Sequence, residues 1–244
     1  MEQRKKRVAL VTGANKGIGL EIARQLGRAE VTVLIGARDN DRGRAAVDRL
    51  RQEDLDAWFV PLDVTDETSV RNAAACIAAD HERLDILINN AGVSDANDGP
   101  PSTGSIASAR RLIETNFLGA LAVTQAMLPL LLQSSNGRIV NMSSTLGSLT
   151  GNGDASSEFY GVRLIGYNAS KAALNMLTVQ LAEELRDRGI TVNSACPGYV
   201  RTDLNGNRGY VSLPEAAAIP VRLALLRRDA PTGTFLGAEG HVAW

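Results

Sequence analysis

The sequence is poor in the residues that build covalent or metal-held frameworks. Its 244 residues include two cysteines, Cys76 and Cys196, and two histidines, His81 and His241. They cannot make a disulfide framework and are too few for a histidine-based metal site. Excess charge of either sign is also missing, since 26 basic residues face 27 acidic ones for a net −1. That balance removes the electrostatic case for nucleic acid or an anionic membrane as partner. Long apolar runs are absent too. Behind the basic start Met1–Arg7 the apolar segment is only Val8–Val11, too short for a signal peptide or a membrane span. The most apolar stretch, Phe117–Leu132, is interrupted by Thr124, Gln125 and Pro129 and reads as a buried helix. A soluble, cytoplasmic protein is expected. What remains is ordinary globular composition, 44% hydrophobic and 22% charged, enough for one large core.

Short apolar runs alternate with longer amphipathic ones. Strands are expected at Arg7–Val11, Val31–Ile35, Ala57–Pro61, Leu84–Ile88, Arg138–Asn141, Thr191–Ala195 and Thr234–Leu236. They are rich in Val, Ile and Leu without polar alternation, as strands covered on both faces should be. Helices are expected near Gly19–Arg28, Asp41–Glu53, Glu67–Glu82, Ser108–Leu132, Tyr167–Arg188 and Pro214–Arg228. This βαβα alternation predicts one α/β domain over residues 1–244, a doubly wound parallel sheet with helices on both faces. One segment breaks the rhythm. Ser143–Gly166 is rich in Gly, Ser, Asn and Asp, too long for an ordinary connection, and reads as a functional loop.

The first strand runs directly into Thr12-Gly13-Ala14-Asn15-Lys16-Gly17-Ile18-Gly19, and a helix follows. Glycines permit a tight turn and close approach of a pyrophosphate, whose charge is met by exposed amides and the helix dipole. A plain glycine-rich turn is the bland alternative. The spacing lacks the Gly-Lys-Ser/Thr ending of a nucleotide triphosphatase loop, which disfavours ATP or GTP hydrolysis. Further along, Tyr167 and Lys171 stand four apart, on one face of a helix. A tyrosine near pKa 10 is a poor acid–base catalyst at neutral pH, and a neighbouring ammonium favours the phenolate. An isolated Tyr-x-x-x-Lys is more often a half-exposed Tyr beside a solvated Lys. Lysine is scarce, however: four against 22 arginines, two of them Lys5 and Lys6, the other two Lys16 and Lys171 inside motifs. Where arginine is the default cation, a lysine points to a need for a compact, titratable ammonium.

These pieces occur in a telling order. Thr12–Gly19, Asn89-Asn90-Ala91-Gly92, Asn116, Asn141-Met142-Ser143-Ser144, Tyr167-x-x-x-Lys171 and Pro197-Gly198 resemble the ordered motifs of short-chain dehydrogenases/reductases, over essentially the whole chain. The details Asn15-Lys16 and Cys196–Asp203 look most like the carbonyl-reductase branch. The resemblance implies a Rossmann fold and an oxidoreductase using NADP (NADPH) on a small ketone or aldehyde, reversibly. It implies Tyr167 as general acid and Lys171 as the group that lowers its pKa and binds the nicotinamide ribose. Ser144 would hold the substrate oxygen, and Asn116 would anchor a water in a proton relay. Cofactor contacts are implied at Gly13, Asn15, Lys16, Gly17, Ile18 and Gly19. Asp63 and Val64 would meet the adenine, and Asn90, Ala91 and Gly92 the adenosine side. Pro197, Gly198, Val200 and Thr202 would follow along the nicotinamide half. Asp63 could equally be a turn or capping residue.

Cofactor choice rests on the end of the second strand, Gly36-Ala37-Arg38. An NAD-dependent alcohol or hydroxysteroid dehydrogenase is expected to carry a carboxylate there, and Ala37 offers none. Arg38 suits the extra phosphate of NADP, with Lys16 as a second cation and Asp39 as the complication. A silent dinucleotide sensor would be expected to lose Ser, Tyr or Lys, yet all three are present. The interval Ser144–Tyr167 is longer than is usual in the family, so a substrate loop at about 145–166 is expected to bulge over the mouth. That leaves homo-oligomer and monomer both open. Inside it Tyr160 is followed four residues later by Leu164, not Lys, and reads as a decoy. Cys76 and both tryptophans, Trp58 and Trp244, read as packing residues.

Overall fold

Strands without polar alternation need cover on both faces, and the sheet receives it. The computed structural model describes residues 6–227 and 230–244. Eight strands run in the order β3-β2-β1-β4-β5-β6-β7-β8. They are β1 Val8–Thr12, β2 Thr32–Ala37, β3 Ala57–Pro61, β4 Ile86–Asn89, β5 Arg138–Met142, β6 Thr191–Ala195, β7 Phe235–Gly237 and β8 Gly240–His241. All pairs are parallel except β7 with β8. The helices are α1 Gly17–Arg28, α2 Asn40–Arg51, α3 Glu67–His81, α4 Ile106–Ile113, α5 Gly119–Leu131, α6 Leu149–Gly153, α7 Ile165–Glu184 and α8 Leu213–Ala224. Leu10, Leu34 and Leu87 pack one face of the sheet on Val70, Val123 and Leu174. Val11, Val33 and Ile88 pack the other face on Ile22, Val47 and Leu223. The strand order reverses between β1 and β4, and a crevice opens at the carboxyl ends of strands at such a point.

The sequence-based elements fall within a few residues of these, with informative departures. The expected single helix Ser108–Leu132 is interrupted by a π-helical turn, Glu114–Leu118, that carries Asn116. The segment read as an open loop holds a 3₁₀ turn, Thr145–Gly147, and the short α6. Strand β8 was not expected. The last helix stops at Ala224. Its expected end, Arg228, lies outside the described residues, as do Met1–Lys5. Cys76 is exposed rather than core, because the buried stripe of α3 is Val70, Ala73 and Ile77. Trp244 does pack, stacked on Phe235 at 5.5 Å between centroids. Trp58 instead lies half exposed on edge strand β3, beneath the Arg51 guanidinium at 4.8 Å. No helix among the described residues is long and apolar enough to cross a membrane.

At the opposite end of the sheet from the crevice, Arg138 is fully buried. Its guanidinium donates to the carbonyls of Gly137, Leu226 and Arg227 at 2.7, 3.2 and 2.7 Å. Arg7 adds a bond to the Ala224 carbonyl at 2.9 Å. Burial, with Arg7 nearby, pushes the Arg138 pKa down to about 10. The chain leaving α8 is thus tied down by two cations, which suit the negative end of a helix. Arg138→Leu strands those carbonyls, and urea unfolding should show a loss of about 3 kcal/mol with an unchanged m-value.

Candidate active site

The crevice begins where β1 ends. The Thr12 hydroxyl accepts the backbone N–H groups of Asn90 and Ala91 at 3.0 and 2.9 Å, and Asn90 Nδ2 donates back to the Thr12 carbonyl at 2.8 Å. The exits of β1 and β4 are therefore locked together. Gly13 has φ +65°, and a Cβ there would lie 2.9 Å from the Ala91 Cα, so both conformation and space require glycine. Helix α1 follows with Lys16 as N-cap residue, no side-chain cap and no acidic residue in its first turn. Its first N–H groups are left for an anion. A cleft of about 670 Å³ opens over this helix end.

Gly13, Asn15, Lys16, Gly17, Ile18 and Gly19 line that cleft, as do Arg38, Asp63, Val64, Asn90, Ala91, Gly92 and Thr202. Pro197, Gly198 and Val200 are not among its lining. Val200 is buried, and its backbone bridges Val211. Arg38 is exposed and makes no ion pair among the described residues. Asp39 is committed elsewhere: its carboxylate caps α2 by accepting the Arg42 N–H at 3.0 Å. Asp63 serves its own turn, accepting the Thr65 N–H and hydroxyl at 3.0 and 2.7 Å. Lys16 reaches across the cleft to Asp203 at 2.8 Å, both side chains being exposed. The Ser94 hydroxyl donates to the Leu204 carbonyl at 2.8 Å, so two contacts hold the 203–204 segment against the cleft.

Helix α7 stands behind the lining residue Gly92; Asn116, Ser144, Tyr167 and Lys171 are not themselves among the residues that line the cleft. Lys171 is 5% exposed, and its Nζ donates to the Met142 carbonyl, the last residue of β5, at 2.8 Å. The ammonium stands 5.6 Å from the centroid of the Tyr167 ring. It also lies near the cleft wall, 3.6 Å from where a Cβ on Gly92 would be. Ser144 follows Met142 by two residues, and its Oγ accepts the Leu146 N–H at 3.2 Å. The turn after it presses on α7: a Cβ on Gly147 would lie 2.7 Å from the Lys171 carbonyl carbon. Asn116, in the π turn, accepts the Val93 N–H at 2.8 Å and donates to Ser170 Oγ at 3.0 Å. Ser170 in turn donates to the Tyr167 carbonyl at 2.7 Å.

Burial acts on the pair in opposite directions. It raises the Tyr167 pKa to about 12, aided by nearby Cys196, while the Ser144 hydroxyl pulls the other way. It lowers the Lys171 pKa to about 8, with Cys196 opposing. The largest influence on the phenol is its own desolvation, and Lys171 is not among the groups that shift it. Cys196 itself is buried, its Sγ accepting the Thr145 N–H at 3.4 Å. Tyr160, half exposed, lies under the Arg163 guanidinium at 5.7 Å and outside this constellation.

Several members carried no usable signal in sequence. Asn152 donates to the carbonyls of Leu146 and Ser148, and its Oδ1 accepts from Asn168 at 2.9 Å. The insert is thereby bound to the Ser144 turn and to the first turn of α7. Asp98, from the β4–α4 loop, accepts backbone N–H groups at the start of α7. Only the apolar Leu164, an unsuitable N-cap, hinted that this helix needed a partner from elsewhere.

Comparison with known proteins agrees with this geometry. Residues 7–210 match the family model described as short chain dehydrogenase. Carbonyl reductase (NADPH) 1 of Bos taurus is 36% identical, with 97% of this chain and 98% of that protein covered. A (+)-neomenthol dehydrogenase of Arabidopsis thaliana is 32% identical, with 98% of each covered. The NADPH-bound carbonyl reductase from chicken fatty liver superimposes with a TM-score of 0.85 at 32% identity, over 98% of this chain and 99% of that one.

The displaced Lys171 pKa predicts opposite pH responses of activity and stability. Lys171 loses its charge as pH rises through about 8, so ketone reduction should fall above that pH. A Lys171→Arg variant, however slow, should lose that limb. The unfolded lysine keeps its proton to a higher pH than the folded one. Stability should therefore rise across the window from about 8 to the ordinary lysine range, measured against Lys171→Met.

Proposed function

Because the chain belongs to the short-chain dehydrogenase family, we propose that it is an NADPH-dependent reductase of ketones or aldehydes, running in reverse as an alcohol dehydrogenase. The observation that carries this is the meeting of Ser144, Tyr167 and Lys171 behind Gly92, beside a cleft whose floor is an uncapped helix N-terminus. The residues present fit a dinucleotide. Gly13 and Gly17, both at positive φ, keep the turn low, and α1 offers free donors to a pyrophosphate. When bound, NADPH supplies the hydride.

The chain's own residues supply position and a proton. Tyr167, whose pKa is about 12, is protonated at neutral pH and donates to the substrate oxygen as negative charge develops there. Ser144 holds that oxygen with a second hydroxyl. Lys171, anchored on Met142, keeps a positive charge beside the ribose and the phenol. Asn116 joins α7 to the Gly92–Val93 backbone and stands at the head of a proton path from Lys171. The 145–166 segment forms the substrate mouth, with Leu149 and Tyr160 exposed on it. Arg38 and Lys16 select the phosphate of NADP, Lys16 by exchanging Asp203 for it. Asp39 is spent on capping α2, which removes the feature that favoured NAD. Cytoplasmic residence belongs to the same proposal and is supported by two unpaired thiols, Cys76 and Cys196.

Two measurements test the reading. Tyr167→Phe should lose roughly 10²- to 10⁴-fold in turnover over a panel of ketones while NADPH binding, read by fluorescence titration, is retained. Undiminished turnover in that variant removes Tyr167 from the mechanism. Arg38→Ala should raise the KM for NADPH roughly 10- to 100-fold, the loss of one or two charged hydrogen bonds, and leave that for NADH unchanged. Equal catalytic efficiency with both cofactors in the unaltered protein sinks the assignment to NADP.

A further inference from the structure

Helix α7 carries both Tyr167 and Lys171, yet nothing in its own sequence caps it. Its N-cap residue is Leu164, which has no side-chain acceptor. Helices α2, α3, α4 and α8 are capped locally, by Asp39, Asp66, Ser105 and Ser212. The missing acceptor comes from Asp98, 68 and 69 residues before the two N–H groups it binds. Asp98 Oδ1 accepts the Gly166 N–H at 2.9 Å, and Oδ2 accepts the N–H of Tyr167 itself at 2.8 Å. Oδ1 also takes the Gly99 N–H at 2.9 Å, which shapes the loop that presents the carboxylate. The Ile165 N–H adds a bond to the Gly99 carbonyl at 3.0 Å. Three successive N–H groups of the first turn of α7 are thus held by the β4–α4 loop.

We propose that Asp98 is a positioning residue for the reduction: it sets where the Tyr167 phenol sits by binding the backbone of Tyr167 from a separate loop. This rests on Tyr167 being the general acid. A cap normally accepts from the second or third helical N–H, the places Gly166 and Tyr167 occupy, so Asp98 does from outside what an N-cap side chain does from within. Its charge also faces the positive end of α7. Without it the first turn frays, and the residue that moves is the proton donor. Lys171 lies one turn deeper and has its own anchor on Met142, so it stays. The two halves of Tyr-x-x-x-Lys are therefore held by different devices, and only the tyrosine depends on Asp98.

That division gives the test, made on the full-length protein with saturating NADPH and ketone. Asp98→Ala should lower kcat roughly 10- to 100-fold, the scale of a small misplacement of a reacting group. The Kd for NADPH should stay within about twofold, because the cofactor cleft and Lys171 do not use Asp98. Asp98→Asn, which keeps one carbonyl acceptor and serves if the alanine variant is too unstable, should fall between wild type and alanine. In a Tyr167→Phe background, Asp98→Ala should cost nothing further. An unchanged kcat in Asp98→Ala overturns the proposal, and so does a parallel loss of kcat and NADPH affinity, which marks general unfolding. Wild-type turnover in Tyr167→Phe alone would instead refute the assignment of the acid. The two failures are therefore distinguishable.

Discussion

A single buried ammonium sets the geometry of the site. Lys171 lies in the core side of α7, where an unpaired charge would be costly, and it finds its partner in the Met142 carbonyl at the end of β5. That bond fixes both the rotation and the depth of α7 against the sheet. Ser144 is then two residues along from the acceptor and Tyr167 one helical turn back from the donor, so hydroxyl and phenol arrive on the same side. Gly147 permits the approach, since any side chain there would strike the helix backbone at Lys171. The spacing of Ser, Tyr and Lys follows from one hydrogen bond and one absent Cβ.

Beneath that bond runs a polar ladder that an apolar sheet does not otherwise need. Asn89 Nδ2 donates to Asn141 Oδ1 at 2.8 Å, Asn141 Nδ2 to the Thr178 hydroxyl at 2.8 Å, and that hydroxyl meets Ser194 Oγ at 2.8 Å. Thr124, on α5, shares the Asn89 amide at 2.9 Å. The ladder crosses β4, β5, α7 and β6 just below the crevice and ties their ends into one register. Such buried networks stabilise little on balance but penalise any slip that leaves a member unpaired. A site that needs Lys171 held on the Met142 carbonyl gains from that penalty.

Much of this was legible in the sequence, where the chemistry is local. The glycine turn declares itself because Gly13 and Gly17 need positive φ within a few residues of a strand end. Tyr167 and Lys171 declare themselves because helical periodicity places them on one face. Asp98, Asn152 and Asn168 do not, since each acts across a gap that only the tertiary fold closes. The π turn at Asn116 lies inside a helical pattern whose extra residue leaves no compositional trace. Asp39 stood in sequence only as a complication beside Arg38. In the structure one of its carboxylate oxygens accepts the Arg42 N–H at the start of α2. Cys76 went wrong by phase alone: small neighbours suggested the core, while the stripe of Val70, Ala73 and Ile77 faces elsewhere.

Burial also orders the proton chemistry. The usual account of a Tyr–Lys pair has the cation lowering the pKa of the phenol, and proximity alone supports it. Here the same desolvation that raises Tyr167 to about 12 lowers Lys171 to about 8, so the two values move apart from phenolate–ammonium pairing rather than toward it. At neutral pH the resting site therefore holds a neutral phenol beside an ammonium. That is the state of an acid ready to give up its proton. In the proposed mechanism reduction starts from this state, whereas alcohol oxidation needs the phenolate. The Ser144 hydroxyl opposes the rise of the Tyr167 pKa by stabilising the phenolate. Tyr167 and Lys171 are thus displaced in opposite directions by one cause, and each protonation state follows from how far its own group is taken out of water.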